Sequence, residues 1–136
     1  MQERERDARS NSYMQEASEV LGKAKGLLKE KEYDHAIRRG WESMLLAMRS
    51  VLALDDRIGD EDAQIPEAFR NMYLKTEAMS PEWEDLLNRM AEKAVPPEGQ
   101  PGQISKEEAG KLISQLQFFL QEIVDYLVQR NAMYWG

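Results

Sequence analysis

The position of the prolines constrains this chain more than any other feature. All five (Pro66, Pro81, Pro96, Pro97 and Pro101) lie between residues 65 and 102 of the 136. Neither the first 64 residues nor the last 35 therefore contain a residue that forbids a helix interior. Both ends carry helical patterning. From Tyr13 to Lys31, the residues Met14, Ala17, Leu21, Ala24 and Leu28 recur at spacings of three and four, which puts them on one helix face. A second stripe (Tyr33, Ile37, Trp41, Met44, Met48 and Val51) continues to about Leu54, with Gly40, Leu45 and Leu52 beside it. Only a short break near Glu32 separates the two, so antiparallel neighbours are expected.

The middle of the chain supplies shorter elements. Residues 55–62 are acidic, contain Gly59 and are expected to form a loop. Pro66 suits the first turn of a third helix, carried by Ile65, Phe69, Met72 and Tyr73 to about Thr76. Ser80 and Pro81 repeat the start signal as N-cap and first helical residue, followed by Trp83, Leu86, Leu87 and Met90. Residues 95–102 must form a non-helical connection. Ser105 then opens a capping box with Glu108, and Leu112, Ile113, Leu116, Phe119, Leu120, Ile123, Val124 and Leu127 give the last helix a broad apolar face. No stretch alternates long enough for a strand. The expectation is an all-α, up-and-down bundle of four to five helices in one domain spanning residues 12–130. A charged, frayed stretch is expected at 1–11 and an aromatic tail at 131–136 (Ala132, Met133, Tyr134, Trp135) that packs on the bundle or on a second subunit.

Composition narrows the function. Lys and Arg number 18 against 25 Asp and Glu, a formal charge of −7, which suits duplex nucleic acid poorly. No apolar run exceeds the five residues from Met44 to Met48, too few to cross a bilayer. The chain opens on Gln2, Glu3, Arg4 and Glu5 with no apolar segment, and it has no cysteine; a cytoplasmic protein is expected. The lack of cysteine also removes thiolate nucleophiles and cysteine-ligated metals.

The first two helices carry a further pattern: Ala24, Leu27 and Leu28, then Tyr33, Ala36 and Ile37, then Gly40, Trp41, Met44, Ala47, Met48, Val51 and Leu52. This resembles the HEPN domain, a family of helical bundles, and Phe69 to Thr76 is similar to that family's third helix. The resemblance implies a bundle that commonly dimerises. In active members it implies metal-independent RNA cleavage by an arginine followed, four to six residues later, by a histidine. Such chemistry needs a proton carrier and a cation for phosphate. The only histidine here is His35, and Glu30, Lys29 and Leu28 stand five to seven residues before it. The region from Arg89 through Lys93 to Pro97 offers cations and no histidine. The resemblance thus implies a degenerate member without ribonuclease activity, in which Arg89, Lys93 and Arg38 remain as candidate phosphate contacts. A protein partner such as a nucleotidyltransferase-like protein, in a toxin–antitoxin or defence setting, is also implied.

Other constellations give way to structural readings. Glu32 and His35 have the spacing of di-iron carboxylate bundles, but such a site needs two histidine motifs. No metal or cofactor is expected. Arg38, Arg39 and Arg49, with Lys29 and Lys31, are interrupted by Glu30, Glu32, Asp34 and Glu42, the pattern of a solvated charge network. Gly22, Gly26 and Gly40 lie within helical stripes, where close helix packing is expected of them. Met14, Met44, Met48, Met72, Met79 and Met90 suit a core as well as an adaptable groove. The resulting expectation is a non-catalytic bundle, homodimeric, that binds a nucleotide or a protein partner. The alternative is a helical interaction module that takes no small ligand and works through residues 55–62 or the aromatic tail.

Overall fold

The computed structural model describes residues 2–55, 64–95 and 104–130, with side chains from residue 7 onward. Five α-helices follow one another: α1 (Gln2–Lys29), α2 (Tyr33–Leu54), α3 (Ile65–Phe69), α4 (Trp83–Ala94) and α5 (Lys106–Gln129). A π-helical turn, Arg70–Leu74, extends α3. Among the described residues there is no strand, and no helix is long and apolar enough to cross a membrane.

The first hairpin is built on small residues. Ala36, Gly40, Ser43, Ala47 and Ser50 recur along α2 at spacings of three and four and are all buried. The hydroxyl of Ser43 donates to the carbonyl of Ala17 at 2.7 Å, and that of Ser10 to the carbonyl of Ser50 at 2.7 Å. These two bonds step along α1 and α2 in opposite senses, so the helices run antiparallel, as the short connection between them predicts. Buried hydroxyls are tolerated because each has a backbone acceptor. The helix also begins earlier than expected. Ser10 is fully buried and α1 extends back to Gln2, where the sequence suggests fraying over residues 1–11. Gln, Glu and Arg are good helix formers, and docking of Ser10 on α2 holds the start of the helix in place.

The remaining helices pack on α2. The core contains Met44 and Met48 of α2, Phe69 and Tyr73 of the third segment, Leu87 and Met90 of α4, and Leu112 and Phe119 of α5. Phe69 meets Tyr73 at 5.1 Å and Phe119 at 5.7 Å, and Trp83 meets Phe119 edge-on at 5.4 Å. The π-helical turn, closed by the Lys75 N–H on the Arg70 carbonyl at 2.8 Å, lets Phe69, Tyr73 and Leu74 all point inward.

Gly40 lies where α2, α4 and α5 meet. A β-carbon there would stand 2.8 Å from the Met90 methyl and 2.9 Å from Ile113 Cδ1. Gly22 and Gly26 differ: nothing lies within 4 Å of their would-be β-carbons, so the close packing expected of all three holds only at Gly40. Of the methionines, Met14, Met44, Met48, Met79 and Met90 are buried and Met72 is half-buried, which makes them core.

Two start signals resolve differently. Ser105 caps α5 as expected, accepting the Glu108 N–H at 3.1 Å, but the Glu108 carboxylate stands 3.8 Å from Lys93 instead of closing the box. Ser80 is not the cap of α4, which begins at Trp83 after a tight turn. Its N–H and hydroxyl instead donate to the Glu122 carboxylate at 3.1 and 2.9 Å, and Trp83 Nε1 donates to the same group at 2.6 Å. A carboxylate can accept several such bonds, and this one ties the start of α4 to α5. The aromatic tail 131–136, the connection 96–102 and most of the acidic loop 55–62 lie outside the described residues.

Candidate functional site

The turn between α1 and α2 ends α1 in a Schellman motif. The Glu32 N–H returns to the Leu27 carbonyl at 2.9 Å and the Lys31 N–H to the Leu28 carbonyl at 3.1 Å. Lys31 occupies the left-handed position of that motif with φ 64°. The helix that follows has Glu32 at its N-cap, with no side-chain capping bond. Four polar residues then share one exposed face by helical spacing: His35, Arg38, Arg39 and Glu42. With Leu27 of α1 they line an open cleft of about 330 Å³. His35 also lines a second cleft of about 600 Å³, formed with Lys31, Glu32, Tyr33 and Asp34 against Ile104 and Ser105.

The charges in the smaller cleft are unevenly engaged. Arg39 Nη1 is 2.8 Å from Glu42 Oε2, an exposed pair one turn apart. His35 Nδ1 is 3.8 Å from Glu32 Oε2, and both side chains are more than half exposed. Among the described residues no carboxylate pairs with Arg38, which leaves its guanidinium free to meet a ligand. Exposed pairs of this kind contribute little to stability, so rearranging them around an anion costs little.

The three sequence candidates are not brought together. Arg38 lines the small cleft, whereas Arg89 sits 3.1 Å from Asp85 on α4 and Lys93 3.8 Å from Glu108 on α5, and neither lines that cleft. Arg49, grouped with Arg38 by sequence proximity, instead lies over the Tyr13 ring at 5.8 Å. The residues that do join Arg38 are Arg39 and His35. Their spacing of three and four residues was available in the sequence as a sign that they share a face.

A second polar cluster stands at the other end of α2. Asp55 accepts from the Tyr73 hydroxyl at 2.5 Å, the Tyr126 hydroxyl at 3.1 Å and Arg130 Nη1 at 3.1 Å. The Tyr73 hydroxyl also lies 3.0 Å from the Val51 carbonyl, and Arg130 stacks over the Tyr126 ring at 4.7 Å. Burial, reinforced by the neighbouring Asp55 carboxylate, pushes Tyr126 up to about 12 and Tyr73 higher still. Every member is engaged by another, which makes this cluster a structural tie. Nearby, a cleft of about 660 Å³ exposes Glu77, Glu122 and Asp125, the wrong charge for an anion.

Compared with known families, residues 10–127 match the model of the HEPN domain. No curated protein and no solved structure matches the chain.

Proposed function

We propose that this chain, which belongs to the HEPN domain family, is a non-catalytic member that acts by binding a nucleotide through its phosphate at the cleft of His35, Arg38 and Arg39. The observation that carries the reading is Arg38, a guanidinium without a carboxylate partner among the described residues, one turn from the imidazole and beside Arg39. Guanidinium forks match phosphate geometry, and a cleft of this kind needs only local positive charge in a chain of net −7.

Binding is favoured over cleavage on chemical grounds. The resemblance implies that active members pair their histidine with an arginine four to six residues before it, and no arginine stands there before His35. The arginines also follow His35 in sequence, the reverse of the order that the family resemblance implies for active members. Arg89 and Lys93, each beside a carboxylate, are less available to phosphate than Arg38.

The test is calorimetric titration of the full chain with nucleoside monophosphates at low and moderate salt. Binding that weakens with salt and disappears in an Arg38→Gln, Arg39→Gln double variant is expected. Absence of heat with every nucleotide overturns the reading, and cleavage of single-stranded RNA that requires His35 overturns its non-catalytic part. The homodimer belongs to the same proposal, and light scattering at two concentrations tests it. So does a protein partner of the nucleotidyltransferase-like kind in a toxin–antitoxin or defence setting, which co-purification tests.

A further inference from the structure

The two clefts that share His35 differ in charge. The smaller carries two guanidiniums against one carboxylate, Glu42. The larger carries two carboxylates, Glu32 and Asp34, against one ammonium, Lys31, and has half-buried Tyr33 and Ile104 as its apolar walls. They lie one helical turn apart along α2, a rise of about 5.4 Å. A ligand that spans them must be anionic at one end and rich in hydrogen-bond donors at the other, with a flat apolar body between or beside these groups.

We infer that the ligand is a guanine nucleotide, its phosphate on Arg38 and Arg39 and its base in the larger cleft, with the donor edge on Asp34 or Glu32. This rests on the phosphate-binding reading above and goes beyond it by naming the base. An ionised carboxylate only accepts. Guanine presents two adjacent donors, N1–H and the exocyclic N2 amine, which together match the two oxygens of one carboxylate. Hypoxanthine keeps the N1–H and lacks the amine. Uracil flanks its single N–H with two carbonyl oxygens, which a carboxylate repels. Adenine and cytosine each place an acceptor nitrogen beside the amine. The Tyr33 ring offers a stacking surface of the kind that holds bases. The same carboxylates repel phosphate from the larger cleft, which fixes the orientation of the ligand.

The experiment titrates the 136-residue chain with four probes: GMP, IMP, UMP and inorganic phosphate. Hydrogen bonds to a charged group distinguish ligands by about tenfold. The expected order is GMP tighter than IMP by about that factor, with UMP no tighter than phosphate. An Asp34→Asn, Glu32→Gln double variant, shown to be folded by circular dichroism, is expected to lose the preference and keep phosphate binding. Equal affinity for all four probes overturns the base assignment and leaves the phosphate reading standing. Preference for GMP that persists in the carboxamide variant also overturns the assignment to Asp34 and Glu32. Failure of all four probes to bind overturns both.

Discussion

The two ends of α2 use similar residue types to opposite effect. At its start, His35, Arg38, Arg39 and Glu42 stand on an exposed face, with one loose imidazole–carboxylate approach and one surface ion pair. At its end, Asp55 gathers two tyrosine hydroxyls and a guanidinium, and one of those tyrosines is buried in the core. The difference is one of partners. Polar groups that satisfy one another while tied to the core hold the fold, whereas groups that face an open cleft leave their bonding capacity to a ligand. On the proposed reading, stability and binding fall to different ends of one helix.

Removal of charge at each end gives the strongest test of that division. Asp55→Ala would leave the buried Tyr73 hydroxyl with only the Val51 carbonyl, and Tyr126 and Arg130 without their acceptor. A loss of about 2–3 kcal/mol in urea unfolding is expected, the usual cost of orphaning such groups. The Arg38→Gln, Arg39→Gln double variant is expected to change stability by less than about 0.5 kcal/mol, because its charges are exposed. Equal losses at the two ends would break the comparison.

Single hydroxyls should show the same asymmetry. Tyr73→Phe is expected to cost about 1 kcal/mol and Tyr33→Phe, in the open cleft, close to nothing. Alkaline pH reads the closed end directly. Tyr73 and Tyr126 hold their protons in the fold above the ordinary tyrosine value of 10, so above pH 10 the unfolded chain releases protons that the folded chain keeps. Their contribution is complete below pH 10 and falls as pH rises toward about 12 and beyond. Denaturant midpoints measured from pH 9 to 11.5 should decline, and the Tyr73→Phe, Tyr126→Phe pair should flatten that decline.

The open end was more legible in the sequence than the closed one, for a physical reason. Helical periodicity reports neighbours three and four residues apart, and it places the Met14–Ala24 stripe, the α5 face and the shared side of His35, Arg38 and Arg39. Asp55 finds its partners 18, 71 and 75 residues away, and Ser80 its carboxylate at a distance of 42. No local pattern encodes such pairs. The buried serines at 10 and 43 escape for a related reason: a small polar residue looks like surface until the partner helix supplies a carbonyl for it, whereas Ser50 donates to the Ala47 carbonyl of its own helix. Arg89 and Lys93 were legible as cations, but Asp85 beside the first lies on its own helix and Glu108 beside the second only folding brings near.

The smallest effect bears on what the open end retains at a cost to stability. Lys31 holds a left-handed backbone conformation, φ 64°, at a position of the Schellman motif that usually takes glycine, and its side chain lines the larger cleft. For a residue with a β-carbon that conformation costs about 1 kcal/mol, and part of it is returned because glycine makes the unfolded chain more flexible. Lys31→Gly is therefore expected to raise stability by roughly 0.5 kcal/mol, measured by urea unfolding. On the proposed reading the same variant removes an ammonium that can donate to guanine O6, beside the donor edge, so guanine nucleotide affinity is expected to fall while binding of inorganic phosphate is kept. Gain in stability with loss of affinity would mark Lys31 as kept for the ligand, since the fold alone would be better served by glycine. Gain in stability with unchanged affinity would leave Lys31 outside the binding site and confine the site to Arg38, Arg39 and the two carboxylates.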